Sequence, residues 1–219
     1  MSLRIAVTGG SSGIGLAIAR QFAAKGHTVY SLSRRPSADG VRHIPCDVAD
    51  ESSVRQAFAA LEQAEGALDI LVNNAGFGIS GAAEFTDLDK AKVLFDVGYF
   101  GLLACVKHAL PLLRKSASPL IVNVGSLAAA LPVPFQSIYS SAKAAVSALT
   151  LCLVNELRPF GVRVCAVLPG DVRTGFTAKR DKSQEGRALY GDRLERAVAR
   201  MEADEQNGRL PERIAAAVC

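Results

Sequence analysis

A short apolar run from Leu3 to Thr8 breaks directly into Gly9, Gly10, Ser11, Ser12, Gly13, Ile14 and Gly15, and then Ile14, Ala17, Ile18 and Phe22 recur at helical spacing until Gly26. A strand, a glycine turn and a helix in immediate succession leave a chain few folding options. The glycines let the backbone approach a pyrophosphate closely, and the helix N-terminus offers free N–H groups and a partial positive charge. The spacing G-x-x-x-G-x-G departs from the commoner G-x-G-x-x-G turn. Taken alone, the glycines also fit a tight turn after a buried strand.

The rest of the chain repeats the alternation. Thr28 to Ser33 reads as a second strand, His43 to Cys46 as a third, and Leu68 to Val72 as a fourth halted by Asn73, Asn74, Ala75 and Gly76. Helical spacing separates them over Glu51 to Glu65, where Val54, Phe58 and Leu61 share a face. Further on, a helix through Leu103, Val106, Leu110 and Leu113 precedes a strand from Pro119 to Gly125, and a helix from Ser137 to Leu157 precedes a strand from Val162 to Leu168. This order predicts an α/β fold: a Rossmann-type doubly wound parallel sheet with helices on both faces. At 219 residues and 49% hydrophobic content the chain fits one domain, residues 1–219.

Charge and cysteine usage exclude several classes. The net charge of +4 comes from 25 basic and 21 acidic residues spread along the chain, with no Lys/Arg block, so no nucleic-acid partner is expected. The five cysteines are odd in number and lack C-x-x-C spacing, and most lie in apolar runs. They read as reduced core residues, with no metal site and no disulfide framework. The N-terminus enters a strand at once, and every apolar run is interrupted short of spanning length. A cytoplasmic protein without a transmembrane segment is the expectation.

One stretch carries chemistry. Ser126 follows an apolar run, and Tyr139 and Lys143 lie four residues apart in what reads as a helix, so both meet on one face. A cation beside a phenol favours the phenolate, lowers its pKa and makes the tyrosine an acid–base group for a carbonyl that gains or loses hydride. Ser126 could hold that oxygen with a second hydrogen bond. At the end of the second strand, Ser33 is followed by Arg34 and Arg35. An arginine there selects a 2′-phosphate where a carboxylate would select a free ribose hydroxyl, so NADP(H) is expected over NAD(H). A solvated basic turn is the alternative.

TGGSSGIG at 8–15, NNAG at 73–76, Ser126, YSSAK at 139–143 and PGDVRT at 169–174 together resemble the ordered motifs of the short-chain dehydrogenase/reductase family. The resemblance implies a catalytic group of Ser126, Tyr139 and Lys143. It also places Gly9, Ser11, Ser12, Ile14 and Gly15 along the cofactor phosphates, and Asp47 and Val48 near the adenine. Asn73, Ala75 and Gly76 would lie beside the ribose, with Lys143 also touching it, and Pro169, Gly170, Val172 and Thr174 at the nicotinamide. By the same resemblance the two long helices would pair with those of a second subunit, giving a homodimer or homotetramer.

The chain departs from the family pattern twice. Gly98 stands in Asp96-Val97-Gly98 where an asparagine is expected, which removes a side-chain amide from the helix that the resemblance links to the lysine. The chain also ends at Cys219, where relatives continue through a helix and another strand, so the C-terminal part reads as short, with an exposed sheet edge expected. From Gly175 to Gln206 the sequence is rich in charge, with Leu194, Ala197, Val198 and Met201 at helical spacing. Residues 175–206 would form a mobile lid over the substrate or a plain surface helix pair. The resemblance implies that Phe77, Ile79, Leu127, Leu131, Pro132, Val133, Phe135 and Phe176 surround the reacting groups, with Gln136 as a polar contact, although such apolar residues also suit a plain core. Such a pocket suits a lipophilic ketone or secondary alcohol, and the resemblance of residues 90–175 to the hydroxysteroid dehydrogenase and acyl reductase branches implies a steroid-like or acyl one. The opposing reading is a catalytically weakened NADP(H)-binding regulatory or scaffold protein. Gly98 and the short C-terminus favour it; the joint presence of Ser126, Tyr139 and Lys143 speaks against it.

Overall fold

The computed structural model describes residues 2–37, 40–183 and 185–219. Six parallel strands form the central sheet: β1 (Arg4–Thr8), β2 (Thr28–Ser33), β3 (Arg42–Pro45), β4 (Ile70–Asn73), β6 (Leu120–Val124) and β7 (Arg163–Val167), in the order β3-β2-β1-β4-β6-β7. Val7, Val72 and Val122 align across β1, β4 and β6. β5 (Ile79–Ser80) lies outside this sheet and pairs in parallel with β8 (Asp181–Lys182).

Helices cover both faces, as the near-continuous apolar strands require. α1 (Gly13–Ala24) and α8 (Pro211–Val218) pack on one face through Ile18, Phe22 and Ala215 against Ile5, Val7, Val72 and Val122. The opposite face is covered by α2 (Glu51–Glu65), α4 (Gly101–Leu113) and α5 (Ser137–Leu157), whose Phe58, Leu61, Val106, Leu113, Val146 and Leu153 enclose Ala6, Leu71 and Ile121. α2 starts on an Asp50 cap that accepts from Ser52 N–H and stops at Gly66 in the left-handed region, φ +71°.

α3 (Leu88–Phe95) runs into α4 through a π-helical turn, Asp96–Phe100, with Gly98 at its centre. The helical stretches 88–113 and 137–160 each contain an 18-residue window, of mean hydropathy 1.5 and 1.4, and are long and apolar enough by length and composition alone to cross a membrane. Charged residues still interrupt both stretches, Lys107 in the first and Lys143 and Glu156 in the second. In this fold both lie against the sheet with their outer faces exposed, Leu151 at 68% and Phe100 at 54%.

The cysteine expectation also needs correction. All five are free, but only Cys46 and Cys105 are buried, while Cys152 and Cys165 are exposed. Cys152 sits on the outer face of α5, and Cys165 on β7, whose far side has no neighbouring strand among the described residues.

α6 (Arg187–Tyr190) and α7 (Asp192–Gln206) follow β8 in the chain. They are tied to the body by the β5–β8 pairing and by Val172, which bridges to Arg209. Leu194 is buried, and Tyr190 packs edge-on against Phe85 and Phe135.

Candidate active site

Strand order reverses between β1 and β4, and a crevice opens there beyond the carboxyl ends of the strands. It widens into a cleft of about 820 Å³. Gly9, Ser11, Ser12, Gly13 and Ile14 form one wall. Gly9 has φ +64°, and a Cβ there would lie 3.1 Å from Ala75 Cα, so the turn stays clear of side chains because the chain beneath it is too close. The first turn of α1 carries no acidic residue, and Ser12 makes no capping hydrogen bond. Its N–H groups therefore remain available for an anion, and a dinucleotide diphosphate fits this cradle.

Gly15 is not in that wall. It is buried in α1, where a Cβ would meet Asn74 Nδ2 at 2.3 Å and Gly9 O at 2.7 Å, so it lets the helix sit against the β4 turn. Asn73 is displaced as well. Alternation along β4 puts Asn73 on the same face as Leu71, toward α5, where its amide donates to Asn123 Oδ1 at 2.9 Å and Asn123 in turn donates to Thr150. Asn74 is the asparagine that lines the cleft; its Nδ2 donates to Thr8 O at 3.0 Å and braces the glycine turn.

At the far end of β2 the Ser33 hydroxyl donates to Arg35 O at 2.7 Å, folding the turn that carries Arg34 and Arg35 to the cleft edge. Asp47 and Val48, Ala75 and Gly76, and Pro169, Gly170, Val172 and Thr174 all line the same cleft. Leu32, Cys46 and Lys179 line it too, which sequence reasoning did not include. Lys179 Nζ reaches Ser12 Oγ at 3.5 Å, spanning from the region before α6 to the glycine turn.

Ser126, Tyr139 and Lys143 converge in the middle of the cleft. β6 delivers Ser126, whose Oγ accepts from Ala128 N–H at 3.1 Å. Tyr139 and Lys143 project from the first two turns of α5, with Lys143 Nζ 5.9 Å from the centre of the Tyr139 ring. The ammonium donates to Val124 O at 2.8 Å, and burial pulls its pKa down from the ordinary 10.5 to about 8. The Tyr139 phenol moves the other way. Burial raises its pKa and the Glu205 carboxylate adds to this, while the Ser126 hydrogen bond and Arg180 pull it down. The expected net lowering is thus corrected, because burial of the phenol outweighs the groups that favour its phenolate. What the arrangement offers is a phenol able to give or take a proton at its oxygen, with a hydroxyl beside it.

The apolar surround is partly as expected. Phe77, Leu127, Leu131, Val133 and Phe176 line the cleft, and Phe176 meets Tyr139 edge-on at 5.8 Å. Ile79, Pro132 and Phe135 do not line it: Ile79 is buried against Leu94 and Ala142, and Phe135, at φ +62°, packs on Tyr190. Gln136 lines the cleft and contacts Met201 of α7. Beneath Lys143 a separate cavity of about 10 Å³ is bounded by Thr8, Asn73, Gly98 and Val124. Among the described residues the buried Asn73 Oδ1 has no hydrogen-bond partner, and a Cβ on Gly98 would meet nothing within 4 Å.

A switch-point cleft with a glycine cradle, a buried lysine and a half-buried tyrosine and serine defines a nicotinamide-dependent oxidoreductase acting at a carbonyl or alcohol carbon. The short chain dehydrogenase family model matches residues 4–185, and the chain belongs to that family. It is 37% identical over 219 residues to a 3-ketodihydrosphingosine reductase of Bacteroides thetaiotaomicron, covering 98% of this chain and 81% of that one. It is 34% identical over 215 residues to a serine 3-dehydrogenase of Agrobacterium fabrum, covering 94% and 85%. A crystal structure of a short-chain dehydrogenase from Streptomyces avermitilis superposes with a TM-score of 0.89 at 34% identity, over 100% of this chain and 83% of that one. The cofactor, when bound, supplies or accepts the hydride.

Proposed function

We propose that this protein reduces a ketone of a lipophilic, acyl-type compound with NADPH, and oxidises the matching secondary alcohol in reverse. The observation that carries this reading is that Ser126, Tyr139 and Lys143 line one cleft together with the glycine turn and the apolar Phe77, Leu131, Val133 and Phe176. Tyr139 donates the proton to the carbonyl oxygen, Ser126 orients that oxygen, and Lys143 keeps a positive charge next to the phenol and contacts the cofactor ribose. Gly9, Ser11, Ser12 and Ile14 hold the phosphates, Asp47 and Val48 the adenine, Ala75 and Gly76 the ribose, and Pro169, Gly170, Val172 and Thr174 the nicotinamide. Arg34 and Arg35 at the end of β2 favour the 2′-phosphate of NADP(H).

Between steroid-like and acyl substrates, the similarity to a 3-ketodihydrosphingosine reductase favours a long-chain compound. In 3-ketodihydrosphingosine the ketone at carbon 3 adjoins an amine-bearing carbon, and serine has its amine beside the carbon named in serine 3-dehydrogenase. Residues 175–206 act as the lid over this end. The exposed Leu103, Leu151 and Val154 on the outer faces of α4 and α5 support pairing with a second copy in a homodimer or homotetramer, and the free cysteines support a cytoplasmic setting.

The test is NADPH oxidation with long-chain 3-ketones, run beside Tyr139→Phe. Turnover by the natural chain that falls by at least about 100-fold in the variant fits loss of a general acid. Equal rates in the two would refute the assignment of Tyr139. Arg34→Ala should weaken NADPH much more than NADH, and equal losses would remove Arg34 from phosphate recognition.

A further inference from the structure

Beyond Tyr139 the cleft wall is apolar on Leu127, Leu131, Val133 and Phe176, yet α7 sets a carboxylate into it. Glu205 follows Met201 by one helical turn, and both face the cleft. Its side chain is 13% exposed, and an ionised carboxylate in such surroundings needs partners. They come from behind: Arg180 Nη2 donates to Oε1, and Thr177 Oγ1 donates to Oε2 at 2.5 Å. The Arg180 side chain is 0% exposed, with its guanidinium carbon 5.6 Å from the centre of the Phe176 ring, and it does not line the cleft. The cleft therefore meets the anion and not the cation.

Each carboxylate oxygen accepts more than one hydrogen bond, so the two donors behind Glu205 leave acceptor positions facing inward. Neighbouring charges reinforce the sign. Asp171 also lines the cleft, and its carboxyl is pushed up by burial and by Asp204 and Glu205. Of the nearby cations, Arg180 is engaged with Glu205, Arg200 with Asp204 and Lys182 with Glu202, while Lys143, which donates to Val124 O, and Lys179, which reaches toward Ser12, line the cleft themselves.

We propose that Glu205 is a specificity residue that recognises an ammonium group on the carbon adjoining the reacting carbonyl, so that the substrate is a lipophilic 2-amino ketone and the reverse substrate a 2-amino alcohol. This rests on the reductase reading above and narrows it. An ammonium supplies charge-assisted donors to the free acceptor positions, while the apolar wall takes the chain. Its charge also offsets that of Glu205, the group that disfavours the Tyr139 phenolate.

Three long-chain 3-ketones matched in length decide the matter with the full chain and NADPH: the 2-amino compound, its N-acetyl derivative and the compound lacking nitrogen. The natural chain should prefer the amino ketone by ~10- to 100-fold in kcat/KM over both others, the range expected of a hydrogen bond to a charged group. Glu205→Gln, which keeps a polar group before Arg180 and Thr177, should bring that ratio close to one. Equal use of the three ketones by the natural chain overturns the inference while leaving the reductase reading intact, and this comparison needs no variant to fold. A preference that survives Glu205→Gln overturns the assignment to Glu205. Absence of turnover on every ketone, and on the amino alcohol in reverse, overturns the reductase reading and the inference with it.

Discussion

Lys143 costs the fold stability, and replacing it with methionine measures the cost. Burial takes its ammonium from 10.5 to about 8, which at 1.36 kcal/mol per tenfold change is roughly 3 kcal/mol. The pKa is lowered in the folded state, so the penalty is complete below about pH 8, shrinks as pH rises from there to 10.5, and is gone when both states are neutral. Methionine has similar length and no charge, but it leaves Val124 O without the donor now 2.8 Å away, a loss of about 1–2 kcal/mol. Lys143→Met should then be about 1–2 kcal/mol more stable than the natural chain at pH 7, with a Tm roughly 2–4 °C higher per kcal/mol, and should lose turnover. Urea unfolding of both proteins without nucleotide, at pH 7 and again near pH 10, isolates the term because the other titrations cancel in the difference. The advantage should vanish at the higher pH and pass to the natural chain. A methionine variant less stable by the same margin at both values would refute the reasoning, since it would mean the ammonium is fully compensated where it lies.

Asp69 bears on acid stability: burial opposes its charge, but Arg4 and Ser116 overcome this and hold the carboxyl at about 2 in place of 3.8, so roughly 2 kcal/mol present above pH 4 should be lost between pH 4 and 2. Asp69→Asn should flatten that part of the urea midpoint curve. Gly98→Asn returns an amide beside the small cavity under Lys143, where room exists and Asn73 Oδ1 lacks a partner among the described residues. A rise in turnover is expected, and an unchanged pH–rate profile would count against a proton path there. Gly15→Ala should weaken cofactor binding and cost at least about 1 kcal/mol, because its methyl would collide with Asn74 and Gly9; unaltered NADPH affinity and Tm would show that the turn gives way freely.

The sheet was legible because parallel strands buried on both faces leave compact apolar runs, and the three reacting side chains because each sits at a marked place, the end of β6 or the first turns of α5. Asn73 was misplaced although strand alternation carries the signal: it shares the face of Leu71, and the chain turns toward the cleft one residue later, at Asn74. Gly15 was read as phosphate-binding when its service is to leave space for Asn74. Nothing local announced Glu205 or Lys179. Both come from the charged segment after Gly175, and their arrival at the cleft depends on how β8 docks on β5, a pairing of two-residue strands with too little pattern to read in advance. The direction of the Tyr139 shift was missed for a similar reason, since burial is a property of the whole packing and not of the Tyr–Lys spacing.

The strand order has a bearing on how the protein comes into being. β1 lies between β2 and β4, and β4 pairs in turn with β6, so the glycine turn and the Ser126 loop become neighbours only after segments far apart in the chain have closed on one another. Such closures pay their entropy before contact rewards them, which makes parallel sheets slow to form. Binding of nucleotide should consequently appear late in refolding, as a single phase with the burial of the β4–β6 core, and a nascent chain that has not yet emerged through β6 has half a cradle and no reacting groups.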